Sequence, residues 1–263
     1  MTLTVGRGGA ETRLALPRPG RLAYRILDEQ GRPMPGKISI VGAPLVEDPA
    51  VSSPYERNLP GLVAVHHALH GDSDAGGRWD QPLVLPPGDY RVVVSRGPEW
   101  TRHEERISLQ AGGEVRVVAR LAHAVPTPGY VACDFHQHTV RSPDSAVLVE
   151  DRVVTYLAEG VDFVSTSDHD VIIDLEPAIA ALGASAQLDS VPGVEMTPFG
   201  YGHFISFPLP FDPLSPTGGA FDWGGGEEPN IAPAGIFAGV RALGARVIQI
   251  NHPRTPAPST LDF

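Results

Sequence analysis

Residues 134–139 read DFHQHT, and residues 165–170 read STSDHD. In an extended strand, side chains two apart face the same way, so Asp134, His136 and His138 are expected to project from one side of a strand over 130–136. Val131, Cys133 and Phe135 form the opposite set, which is apolar and suited to packing against helices; Cys133 therefore reads as a core residue. Two imidazoles side by side offer neutral nitrogen donors at a spacing suited to Zn, Mn or Fe. Other histidines and acids of this half fall where apolar runs begin or end. His169 follows VDFVSTSD, Glu195 follows SVPGV, His203 opens HFISF and His252 closes ARVIQIN. Parallel barrels build their sites at one end of their strands, so the pattern points to a metal site at the mouth of an α/β barrel.

The rest of the chain bounds this reading. With 263 residues and 42% hydrophobic content it has room for two domains. No apolar run is long enough for a membrane span and the N-terminus MTLTVGRGGAETRL has no signal-peptide core, so the expectation is a cytoplasmic chain by default, with no membrane partner. The single cysteine excludes an intrachain disulfide and any multi-cysteine zinc site. A formal net charge of -11, with Lys37 the one lysine, argues against long nucleic acid as a partner. A homo-oligomer is compatible with the sequence and not indicated by it.

Residues 1–19 read as an N-terminal tail and 20–122 as an antiparallel β-sandwich, through RLAYRILD, KISIVG, DYRVVVS, ERISL and EVRVVARL with turn residues between them. HAVPTPG, 123–129, reads as an extended linker. From 130 to 263 strands and helices alternate, which argues for a parallel sheet or barrel. Val149, Val153 and Leu157 mark a helical face with Gly160 at its end, while LEPAIAALG and PAGIFAGVRALG mark two more helices. The long loop Pro208–Asn230 reads either as a lid or as a surface insertion. In the sandwich, HHALH (66–70) reads as surface histidines in its longest loop, and Trp100 as core or interface packing.

DFHQHT, SPDS, SDHD, PGVE, GH and NHPR occur in the order and approximate spacing of the PHP (polymerase and histidinol phosphatase) metallohydrolases, and the chain resembles their CehA/McbA, or carbaryl-hydrolase-like, branch. GRLAYRILDEQGRPMPGKISIVGA and LPPGDYRVVVS resemble the carboxypeptidase regulatory-like domain. The resemblance implies an N-terminal β-sandwich followed by a distorted (β/α) TIM-like barrel, truncated at the C-terminus because the family's final Asp-x-His does not follow NHPR. It implies His136, His138, His169, Glu195, His203 and His252 as metal ligands and Asp144 of SPDS as a further one. Asp134 and Asp168 would orient imidazoles by accepting their other N–H. Asp170 and Arg254 are the candidate catalytic side chains, Arg254 for an anionic group of the substrate. The implied cofactor is one or more divalent metal ions, Zn, Mn or Fe. The implied reaction is hydrolysis of a carboxyl or carbamate ester of a small molecule by metal-activated water, with a phosphoester as the alternative substrate. A non-catalytic metal- or ligand-binding module is the rival reading.

Overall fold

The computed structural model describes residues 16–42, 62–198, 201–224 and 231–253. The first half forms two sheets, with strands β1 (Gly20–Leu27), β2 (Gly36–Gly42), β3 (Leu62–Ala68), β4 (Leu83–Leu85), β5 (Gly88–Ser95), β6 (His103–Leu109) and β7 (Glu114–Arg120). One sheet has the order β4-β1-β7 and the other β3-β2-β5-β6. In β5 alternate residues Tyr90, Val92 and Val94 are buried, as a strand with one face on a core requires. They meet Tyr24, Ile26, Ile38, Ile40, Leu109 and Val117 in a single cluster between the sheets.

Two expectations for this half are corrected. β1 pairs with β7 in parallel, not antiparallel. HHALH is only partly in a loop: His66, His67 and Ala68 lie in β3, His66 and His67 paired with Ile38 and Lys37 of β2, while Leu69 and His70 follow the strand. His66 is held by Tyr24 Oη and Trp79 O, both at 2.9 Å, and His70 Nδ1 lies 2.9 Å from Asp80 Oδ2. Trp100 packs against the sandwich core, its ring between the Arg96 guanidinium and His123.

The sandwich docks on helix α1 (Val149–Ala158), whose buried face includes Val153 and Leu157. Leu69 and Trp79 join that helix's apolar cluster. Polar contacts fix the junction. Arg96 Nη1 donates to Pro35 O at 2.9 Å and Leu157 O at 2.5 Å, Trp79 Nε1 donates to Asp151 Oδ1 at 2.7 Å, and Lys37 pairs with Glu159.

Beyond the junction, short strands replace the expected barrel. β8 (Cys133–Asp134), β9 (Phe163–Ser165) and β10 (Asp189–Val191) form a parallel sheet in the order β10-β9-β8. β11 (Val194–Met196), β12 (Phe204–Phe207) and β13 (Val247–Ile250) form a separate antiparallel one. Helices α2 (Glu176–Ala181) and α3 (Pro233–Ala242) complete the second half. The sheets are not closed, so the TIM-like barrel is not the fold. Local chemistry explains the difference. SVPGVEM is broken by Pro192, which cannot donate to a ladder, and by Gly193, where an added Cβ would sit 2.4 Å from Ser165 Oγ. The connection 197–203 is too short for a crossover helix, so β11 and β12 can only pair antiparallel. A parallel bridge between His169 and Glu195 joins the two sheets.

The outer face of β8 also differs from expectation. Val131 is 65% exposed and Cys133 is exposed, so neither is a core residue; Phe135 alone of that set is covered, stacked on Phe207.

Two glycines separate the effect of backbone conformation from that of close approach. Gly97 (φ +64°) would place a Cβ 2.1 Å from Glu159 O, whereas Gly129 (φ +84°) has nothing within 4 Å. Gly129→Ala should cost only the ~1–2 kcal/mol of a left-handed L-residue. Gly97→Ala should cost clearly more, because it also forces the sandwich off α1. Urea titrations of both variants check this; equal losses would mean that the junction is looser than described.

Candidate metal centre

Hydrogen bonds hold the DFHQHT and STSDHD segments side by side. Ser167 Oγ accepts from Gln137 N at 2.8 Å and donates to Gln137 O at 2.6 Å, and Gln137 Nε2 donates to Ser165 O at 2.5 Å. Asp168 takes Thr139 N and Thr139 Oγ1 at 2.6 and 2.9 Å. From α1, Arg152 donates through Nε and Nη2 to His138 O at 3.1 and 2.6 Å. His136 and His138 thus lie on a stitched loop beyond β8, which is only Cys133–Asp134 rather than a strand to residue 136.

Glu195, on β11, is fully buried and faces histidines on both sides. Its Oε2 lies 3.2 Å from His136 Nε2, 3.2 Å from His138 Nε2 and 3.5 Å from His169 Nδ1. Its Oε1 lies 3.2 Å from His203 Nδ1 and 3.5 Å from His252 Nε2, and accepts from Asn251 Nδ2 at 2.7 Å. Asp144, whose side chain is 53% exposed, closes another side: its Oδ2 is 3.4 Å from His169 Nε2 and its Oδ1 is 3.8 Å from His138 Nδ1.

Among the described residues, three overlapping groups of side chains could hold a metal ion: His136, His138 and Glu195; His138, Asp144 and His169; and His169, Glu195 and His203. The donor set fits a divalent cation. Ligands held about 2.0–2.2 Å from a tetrahedral or octahedral ion lie roughly 3.0–3.6 Å from one another, which is the range of the Glu195 contacts. His203 Nδ1 is buried and faces Glu195 Oε1 at 3.2 Å without the geometry of a hydrogen bond, an arrangement that two ligands of one cation would share. Nitrogen and carboxylate donors without thiolate suit Zn, Mn or Fe alike.

The electrostatics centre on Glu195. Burial pushes its carboxyl up, but the His136, His138 and His203 imidazoles beside it and the hydrogen bond from Asn251 outweigh this and hold it far below the usual carboxylate range. Burial lowers the His138 pKa, and the Glu195 hydrogen bond with the charges of Asp144 and Glu195 more than reverses that, raising it. For His252 burial and the nearby His203 win, and its pKa falls.

The remaining acids serve differently from expectation. Asp134 Oδ1 accepts from His136 N at 3.1 Å, and Asp168 bonds Thr139, so neither orients an imidazole. Asp170, at φ +56°, accepts from Thr197 N at 3.1 Å and Trp223 Nε1 at 2.6 Å and belongs to none of the three groups. Arg254 lies outside the described residues, as does most of the GGGEEPN run. The described part of the long loop is docked rather than lid-like, with Ile172 N donating to Thr217 O at 2.9 Å alongside the Trp223 contact. Sequence reasoning missed Asn251, Arg152, Ser142 and Thr197. Asn251 and Ser142, whose Oγ lies 3.1 Å from His138 Nδ1, were signalled only by their places in NHPR and SPDS; Arg152 and Thr197, whose Oγ1 lies 2.6 Å from His169 Nδ1, carry no local mark.

No protein-family profile matches the chain, and no curated protein matches it. Among solved structures, the crystal structure of (S)-allantoin synthase is similar over 40% of this chain and 41% of that one, with 15% identity and a TM-score of 0.25. The chain thus spans about two fifths of that structure's length.

Protons and metal compete for His138. A raised histidine pKa stabilises the metal-free fold below the free imidazole value of about 6.5, and that contribution is lost as pH rises through the raised value. Metal binding needs the neutral ring, so it strengthens over the same interval. The melting-temperature gap between metal-loaded and chelator-treated protein should therefore close as pH falls through the raised His138 pKa and widen above it. A gap independent of pH would remove His138 from the ligand set.

Proposed function

We propose that the protein is a metal-dependent hydrolase that cleaves an ester-type bond, a carboxyl or carbamate ester, in a small molecule. The observation that carries this reading is the buried Glu195 carboxylate with one oxygen toward His136 and His138 and the other toward His203 and His252. The motif order DFHQHT, SPDS, SDHD, PGVE, GH and NHPR supports the PHP superfamily, and within it the CehA/McbA branch, as the source of this chemistry. GRLAYRILDEQGRPMPGKISIVGA likewise supports the carboxypeptidase regulatory-like reading of the sandwich.

A divalent cation at such a centre supplies a nucleophile at neutral pH by lowering the pKa of water, and polarises the electrophile. The chain's own residues do the rest. Glu195 keeps both oxygens as acceptors and holds the histidines on its two sides in one geometry. His136, His138 and His169 present ring nitrogens to the same small volume, and Arg152, through the His138 carbonyl, keeps the loop that carries two of them in place. His252 lies outside the three-donor groups and its side chain is 28% exposed, more than those of His138, His169 and His203. It is placed to accept the proton released by the attacking water and to return it to the leaving group.

Protein stripped with chelator and reloaded with Zn, Mn or Fe(II) is to be assayed on p-nitrophenyl acetate, an aryl carbamate and p-nitrophenyl phosphate. The expected result is metal-dependent release from the carboxyl or carbamate ester, reduced at least ~100-fold in the His136→Ala, His138→Ala double variant. Turnover of the phosphate alone would shift the reading to a phosphoesterase. Tight metal binding without turnover of any ester would shift it to a binding module.

A further inference from the structure

Beside the candidate centre lies a cavity of about 330 Å³, lined by Asp170, Thr217 and the stretch 220–224, a volume at the lower end of small-molecule sites. Thr197 ties it to the centre: its N–H donates to Asp170 Oδ1 at 3.1 Å and its hydroxyl oxygen lies 2.6 Å from His169 Nδ1. One residue therefore separates the cavity wall from a candidate ligand. The walls are held by packing and hydrogen bonds. Trp223 Nε1 donates to Asp170 Oδ1 at 2.6 Å, a Cβ on Gly218 (φ +67°) would sit 2.0 Å from Ile172 O, and a Cβ on Gly239 of α3 would sit 2.3 Å from the Phe221 ring. The lining also names the kind of group that fits. Phe221 and Trp223 bring aromatic rings, Asp170 and Asp222 bring carboxylates, and none of the lining residues is cationic. Thr197 N and Trp223 Nε1 both meet Asp170 Oδ1, and Oδ2 takes no hydrogen bond among the described residues. The charge of the surrounding chain points the same way: no lysine or arginine occurs between Arg152 and Arg241, while Asp and Glu recur throughout that stretch. An anionic group would find no opposite charge in this cavity, whereas an organic cation is attracted by the rings and the carboxylates together.

We propose that this cavity binds the ammonium group of a cationic ester substrate, with Asp170 and Trp223 as its specificity-determining residues. The inference rests on the hydrolase reading for the bond that is cleaved, water adding to the carbonyl to give an acid and a free amino alcohol. It does not rest on that reading for the binding of the cation. Asp170 keeps a φ of +56°, a conformation that Asp and Asn adopt more readily than other side chains. Asp170→Asn therefore keeps the backbone and the Oδ1 acceptor for Thr197 N and Trp223 Nε1 and removes only the charge.

The binding test needs neither metal nor activity. Whole chain stripped with chelator is titrated by calorimetry with choline and with 3,3-dimethyl-1-butanol, its neutral isostere. Choline should bind at least ~10-fold more tightly, and Asp170→Asn and Trp223→Leu should each remove most of that preference. In metal-loaded protein, kcat/KM for acetylcholine should likewise exceed that for 3,3-dimethylbutyl acetate by ~10-fold, with the ratio falling toward one in Asp170→Asn. A merely structural loss would lower both esters together and keep the ratio. Equal binding of choline and the neutral alcohol, binding of neither, or a preference unmoved by both variants overturns the proposal, whether or not esters are hydrolysed. A choline preference that depends on Asp170, in a protein that hydrolyses neither ester, would uphold the cavity as a cation site and overturn the hydrolase reading instead.

Discussion

A carboxylate with no exposure to water must be matched by donors or cations, since burying it alone costs several kcal/mol or more. Glu195 is that carboxylate, and the second half of the chain is arranged around it. Asn251 supplies one neutral donor, and five imidazoles from four separate segments supply the rest. That many histidines around one acid is more than hydrogen bonding requires, because two oxygens accept only a few bonds. The surplus of nitrogen donors is what sets this buried acid apart from a merely satisfied one and gives the described residues groups that could hold a metal ion.

Holding the donors in place falls to contacts that carry no metal chemistry. The loop with His136 and His138 is fastened by Asp168, Ser167 and Arg152, and Arg152 sits on the helix that the sandwich covers. Its neighbour Asp151 accepts from Trp79 of the sandwich half. A continuous line of polar contacts therefore runs from Trp79 through α1 to the His138 carbonyl. No described residue of the sandwich joins the candidate metal groups, yet the sandwich clamps the helix that clamps the loop carrying His136 and His138, which gives the first half a structural reason to be joined to the second.

The sequence made the clustered histidines and acids legible and left the strand pairing of the second half unread, for physical reasons. His136, His138, His169, Glu195 and His203 stand out because few structural roles call for so many histidines beside strand ends. The helices were legible from Val149, Val153 and Leu157 and from similar spacing elsewhere. Whether short strands close into a barrel depends on pairing direction, which alternation of strand and helix patterns does not encode. The break at Pro192–Gly193 and the short 197–203 connection decided it. β3 and β4 went unrecognised because one ends in His66 and His67 and the other is three residues long. Ser142, Thr197 and Arg152 act through hydrogen bonds formed only in three dimensions, so no spacing rule could give their partners.

The acids show most clearly how environment sorts identical chemistry. Asp134, Asp168 and Asp170 sit in motifs rich in histidine and look like ligands or proton carriers when read along the chain. Each instead accepts from groups that hold the loops, namely His136 N, Thr139 N and Oγ1, or Thr197 N and Trp223 Nε1. Glu195 and Asp144 differ in that imidazole nitrogens face both of their oxygens. A carboxylate whose lone pairs are taken by backbone and indole donors has little left for a metal ion, while one ringed by imidazoles stands among donors that could hold one with it. The division among these acids follows from what each carboxylate faces, and it sets Glu195 and Asp144, not Asp170, among the donors that could hold a metal ion.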